Sequence, residues 1–171
     1  MFKRKKDGGF TLIELMIVIA VIGILAIVLV PKVGSIKTQA KATGVETNMR
    51  VVQGFVESKI DTWVNQKNPA TGTNGVDAII DAAFTGSENH LTNPYTSSAT
   101  DAVTGADVSP VNVPLYILNT TDGDDIGTLS DTATKGTIVV SIKEVSGIVS
   151  EINIYAHDDK GLLLKEVTVT P

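Results

Sequence analysis

The sequence predicts an α+β protein: one long N-terminal helix, its first half bilayer-spanning, packs its second half on a small antiparallel β-sheet. Three observations predict it. Residues 10–30 are almost wholly apolar. From Val45 to Trp63 apolar residues recur at helical spacing. Near the C-terminus three short runs of β-branched and alternating residues are separated by turn residues. A chain of 171 residues is long enough for a single core carrying one appendage.

The N-terminal helix comes first. Met1 to Gly9 carries Lys3, Arg4, Lys5 and Lys6 against Asp7 alone. The apolar stretch behind it would reach roughly 30 Å as a helix, the thickness of a bilayer core. Basic residues ahead of such a span hold that end in the cytoplasm and place the chain beyond Pro31 outside. A secretory signal has an apolar stretch of about 7–15 residues followed by a small-x-small site. This stretch is longer and runs into Val-Leu-Val-Pro-Lys. A plain transmembrane anchor fits the length and leaves Glu14 unexplained, since a charge in hydrocarbon is costly and usually marks function. On the residues alone, anchor and signal both stay open.

The run Gly8-Gly9-Phe10-Thr11-Leu12-Ile13-Glu14-Leu15-Met16, continuing to Gly23 and Pro31, resembles the class III signal of type IV pilins and the pseudopilins of type II secretion. A major type IV pilin is the closer resemblance. It implies the type IV pilin fold, cleavage after Gly9 by a prepilin peptidase, and N-methylation of Phe10. It further implies self-association into a homopolymer, an inner-membrane assembly platform with its ATPase machinery, and a precursor held in the inner (cytoplasmic) membrane. The filament would then stand on the cell surface, or in the periplasm if the chain is a pseudopilin. Glycine before the scissile bond lets a protease approach the backbone closely. With Phe10 as the new first residue, its cationic amine lies in the same apolar layer as Glu14. Opposite charges in a low-dielectric layer attract strongly, so the carboxylate of one subunit registers the amine of its neighbour.

Beyond Pro31, where proline is expected to kink the helix, the pattern turns amphipathic. Val45, Met49, Val52, Val56, Ile60 and Trp63 trace one stripe, with Lys41, Glu46, Arg50, Glu57 and Asp61 opposite. The expected helix runs from about residue 11 to 66. The expected organisation is a cleaved leader over 1–9, a membrane and polymerisation helix over 10–31, an amphipathic continuation over 32–67, and a head over 68–171. Asn68-Pro69 and the Gly-rich run to Gly75 end the long helix, and residues 76–84 (VDAIIDAAF) suggest a short second one. Residues 85–114, rich in Gly, Ser, Thr, Asn and Pro, read as a surface loop. Within them Asn93-Pro94-Tyr95 is similar to a turn of some pilins and pseudopilins. Strands are expected at 137–144, 148–156 and 162–170, with another at 115–118. Tight turns between the last three predict an antiparallel meander covering the helix stripe.

Composition removes several function classes. Without the leader, ten basic residues face eighteen acidic ones, a net charge of −8. General nucleic-acid binding, which needs clustered Lys and Arg, is not expected. Without cysteine there is no thiol nucleophile, disulfide or Cys-based zinc site. Asp122, Asp124 and Asp125 around Gly123 are the candidate metal ligands, for calcium. The twelve-residue calcium loop is incomplete, and a solvated acidic turn competes with that reading. His90 and His157 read as surface residues, and Asn119-Thr120-Thr121 fits a glycosylation sequon. No catalytic constellation stands out, so no enzyme and no other cofactor are expected. Function then lies among a pilus subunit serving adhesion, motility or DNA uptake, a major pseudopilin of a type II secretion system, and a monomeric anchored binding protein that keeps its leader.

Overall fold

The fold is given by a computed structural model, which describes residues 9–86, 90–105, 113–118 and 134–171, the side chains of 30–33 excepted. The chain forms two compact units, Met1–Gln39 and Ala40–Pro171. Helix α1, Leu12–Gln66, contributes to both. Its backbone stays helical at Pro31, whose side chain lies outside the described residues, as does the kink read there. In the first unit the helix has no apolar core of its own. Its span Leu12–Leu29 has a mean hydropathy of 3.1 and none of it is buried.

In the second unit the stripe is real. Val45, Met49, Val52, Val56, Ile60 and Trp63 are all buried in one cluster with sheet residues. The helix ends in a Schellman turn: the Asn68 N–H donates to the Trp63 carbonyl (2.9 Å) and the Lys67 N–H to the Val64 carbonyl (3.1 Å). Lys67 holds the left-handed position at φ 56°, a place that glycine usually fills. Helix α2, Val76–Ala83, follows as expected, with Asp77 in its first turn where a carboxylate suits the helix dipole. Asp77 is buried and accepts from the Ala78 N–H (2.7 Å). Burial nonetheless pushes its pKa up.

Among the described residues five strands form one sheet in the order β1-β2-β3-β4-β5: Val103–Gly105, Leu115–Leu118, Ile138–Val145, Ile148–His157 and Leu163–Val169. The meander β3–β5 is antiparallel, in register Val139↔Tyr155 and Tyr155↔Glu166. The sheet as a whole is mixed, however, because β1 and β2 join it in parallel. Strand β1 falls inside the stretch 85–114 that reads as a loop. Three residues are too few to carry an alternation signal, and the partner strand supplies the pairing. Strand alternation sorts side chains to two faces. Leu115, Ile117, Ile138, Val140, Ile142, Ile152 and Ile154 meet the helix stripe in the main core. Tyr116, Leu118, Val139 and Tyr155 form a second buried cluster on the other face.

Asn93 ties the remaining loop down. Fully buried, its side-chain amide donates to the Lys135 carbonyl (2.8 Å), and its side-chain oxygen accepts from the Tyr95 N–H (3.0 Å). The turn also rests on α1. The Asn48 side chain donates to the Thr92 carbonyl (2.8 Å), and Pro94 lies so close to Gly44 that a Cβ there would come within 2.9 Å of it. Lys41 and Lys135 each place an ammonium group over the Tyr95 ring, at 5.7 and 5.9 Å.

Candidate assembly site at the N-terminus

Thr11 immediately precedes the first residue of α1, and its carbonyl accepts the first helical bond, from the Leu15 N–H (3.3 Å). Glu14 lies three residues on. Its Oε2 accepts from the Thr11 backbone N–H (2.8 Å) and from the Thr11 hydroxyl (2.8 Å). The Glu14 N–H donates back to the Thr11 hydroxyl oxygen (3.3 Å). This is a complete capping box, with two N–H groups of the helix start satisfied reciprocally. The motif is written in the sequence as Thr-x-x-Glu ahead of an apolar run, a signal that the reading of Glu14 as a lone charge missed.

Among the described residues the helix that follows the box is apolar and open as far as Leu29. Phe10 is 94 % exposed, and the large apolar side chains from Leu12 to Leu29 are each about half exposed or more. An aliphatic helix exposed on all sides is stable only in an apolar medium or against other helices. Glu14 is the acidic residue in its first turn. Gly9 is open, and a methyl group added at its Cα would meet no atom within 4 Å. The structure thus brings Gly9, Phe10, Thr11 and Glu14 into one short segment at the head of an apolar helix.

The other residues singled out in the sequence go elsewhere. His157, read as a surface residue, is buried at the end of β4, where its Nδ1 lies 3.1 Å from the Thr137 carbonyl. Its position at the end of an alternating strand, rather than in the turn after it, puts it inside. Burial holds its pKa below the usual histidine value. His90 is partly exposed and pairs with Asp101. The Asp101 carboxyl is held below the usual range first by the Gly86 N–H and then by His90. Among the described residues no group of three or more His, Asp or Glu side chains is arranged to hold a metal. Asp122, Asp124, Asp125 and the Asn119 sequon lie outside the described residues.

An apolar N-terminal helix that begins at a Thr11–Glu14 capping box and continues into an α+β head is pilin-like in architecture. Comparison with known proteins gives the particulars. The family described as the prokaryotic N-terminal methylation motif matches residues 4–30. The type II secretion system core protein G of Pseudomonas aeruginosa is 35 % identical over 79 residues, 46 % of this chain and 53 % of that protein. A prepilin peptidase-dependent protein A of Clostridium perfringens is 42 % identical over 55 residues, 32 % of this chain and 39 % of that protein. The chain therefore spans about half the length of the first relative and about two fifths of the second. No solved structure matches it. The signal and the apolar helix fit a membrane-anchored precursor.

Proposed function

We propose that this chain is the structural subunit of a type IV pilus-like filament, cut after Gly9 by a prepilin peptidase, N-methylated at Phe10, and polymerised through α1. The observation that carries the reading is the methylation motif over residues 4–30 set on an apolar helix whose side chains have no core of their own. Cleavage frees an amine at Phe10, four residues from Glu14. In a filament the Glu14 carboxylate of one subunit neutralises the Phe10 amine of the next, and the surrounding apolar side chains bury one another. Self-assembly, the peptidase, and an inner-membrane platform with its ATPase are the partners this requires. The filament serves adhesion, motility or DNA uptake, and no catalysis is assigned to the chain.

The second reading is a major pseudopilin of a type II secretion system, with a periplasmic filament. Similarity to core protein G favours it, as does the lack of the cysteines that pin the C-terminal segment in many pilins. Sheared surface filaments made of this protein favour the pilus. Loss of exoprotein secretion, with no surface filament, in a strain lacking it favours the pseudopilin. Calcium at Asp122, Asp124 and Asp125 belongs to the same proposal only as an accessory, and calorimetric titration with calcium chloride decides between it and a solvated turn.

The test of assembly is Glu14→Ala in the full chain. Membrane insertion and cleavage at Gly9 continue, because the span becomes more apolar and the scissile bond is unchanged. Filament yield falls to background, since each Phe10 amine would enter the core without a counter-charge. Cleaved, abundant Glu14→Ala protein with normal filament yield would remove the registration role.

A further inference from the structure

We infer that Thr11 is the positioning residue for Glu14, dividing the carboxylate between two tasks: Oε2 caps its own helix, and Oε1 is presented to the amine of a second copy of this chain. The inference rests on the assembly reading above and goes beyond it, since that reading assigns Thr11 nothing.

Both Thr11 donors, the backbone N–H and the hydroxyl, converge on the same oxygen at 2.8 Å. No described residue bonds Oε1. An ionised carboxylate has about four acceptor sites on its two oxygens, so a further donor is accommodated without breaking the cap. Free glutamate side chains lose considerable rotamer entropy when an interface orders them. Here the box fixes the side chain inside the single subunit, before any neighbour arrives. A neighbour's ammonium then meets a carboxylate already fixed at the helix start, and association is favoured because less ordering remains to be done. Thr11 also keeps the carboxylate hydrogen-bonded while the precursor waits in the membrane, where an unsatisfied charge is most costly. Both donors contribute to this arrangement. The backbone N–H is present whatever residue stands at position 11, so the hydroxyl is the part that a substitution can remove.

The experiment compares four full-length variants for leader cleavage, membrane level and sheared-filament yield. Thr11→Val keeps the shape and branching and deletes the hydroxyl. Thr11→Gly also deletes it, yet starts a helix within a few tenths of a kcal/mol of threonine, so it separates positioning from capping. Thr11→Ser restores the hydroxyl, and Glu14→Ala serves as reference. Expected are normal cleavage throughout, a fall of about tenfold or more in filament yield for Thr11→Val and Thr11→Gly, as for loss of a hydrogen bond to a charged group, and yield within about twofold of the parent for Thr11→Ser. Normal filaments from Thr11→Val or Thr11→Gly beside none from Glu14→Ala would overturn the positioning role alone. Failure of Thr11→Ser to assemble would overturn it too. Normal filaments from Glu14→Ala would overturn the assembly reading itself.

Discussion

Between Leu12 and Leu29 the aliphatic side chains of α1 are exposed, whereas between Val45 and Trp63 the same helix buries six apolar residues at no more than 3 % exposure. Both halves carry aliphatic residues, but the first is almost wholly apolar and the second sets charged and polar residues opposite its apolar stripe. The first half is apolar on every side, so no single packed face can cover it. The second half confines its apolar residues to one stripe, and a sheet of alternating strands covers that stripe from within the chain. At about 25 cal/mol per Å², burial in the head is already realised in the single molecule. For the first half the same gain is available only from lipid or from other helices. Such a division suits the proposed filament subunit, because the part that would change surroundings is not the part that holds the fold.

Shortening one isoleucine in each half puts this contrast under the greatest strain. Ile154 is fully buried in the main core. Ile154→Ala should lower the stability of the head by about 2–5 kcal/mol, read by urea unfolding of a fragment starting near Lys37. Ile17 is 58 % exposed, and Ile17→Ala, in the full chain held in detergent, should leave the head's unfolding midpoint unchanged. Equal shifts from both would mean that the two halves share one cooperative core.

A smaller effect is expected within the head. Gly136 has φ 68°, and a Cβ there would lie 2.5 Å from Asn93 Oδ1 and 2.7 Å from the Tyr95 ring. Gly136→Ala should cost about 1–2 kcal/mol through the left-handed backbone alone, with more from displacing the Asn93 hub. Unchanged unfolding by urea would mean that the turn at 93–98 does not depend on this close approach.

His157 gives the mildest effect, and its sign is fixed. Its pKa is lowered in the folded head, first by burial. The unfolded chain therefore binds more protons near its ordinary value of 6.5, and stability rises with pH in that region. Stability conferred by a neutral His157 is present above 6.5 and declines as the pH falls below it. Asp77 and Asp81, whose pKa values burial raises, act in the opposite sense at lower pH, above the ordinary aspartate value of 3.8. Unfolding midpoints of the head between pH 7 and about 5.5 should fall with pH, and His157→Asn, which keeps an N–H for the Thr137 carbonyl, should flatten that slope. An unflattened slope would assign it to other groups.

Much of this was legible in the residues. The long helix, its buried stripe, α2 and the meander β3–β5 each follow from periodicity or turn chemistry within one short window. Most of the features that escaped depend on partners distant in sequence. Strand β1 is three residues long and is defined by pairing with β2. The parallel entry of β1 and β2 is a matter of topology, which local alternation does not encode. Asn93 was visible as a turn residue, but its role as hub depends on Lys135 and Val113 reaching it. His157 looked like a turn residue because Asp158-Asp159-Lys160-Gly161 comes next, yet the strand carries it inside. At the N-terminus Glu14 was legible as an anomalous charge. Thr11 was overlooked because its hydroxyl matters only through the carboxylate three residues away.

The proposed function turns on the exposed apolar half of α1 becoming an assembly element once the leader is removed. The decisive measurement is the intact mass of this protein, taken from filaments sheared from cells or, on the second reading, from filaments overproduced by a type II secretion system. The expected subunit begins at Phe10, lacks the nine-residue leader and bears one methyl group at its N-terminus. A filament subunit that retains Met1 would contradict the assembly role of α1.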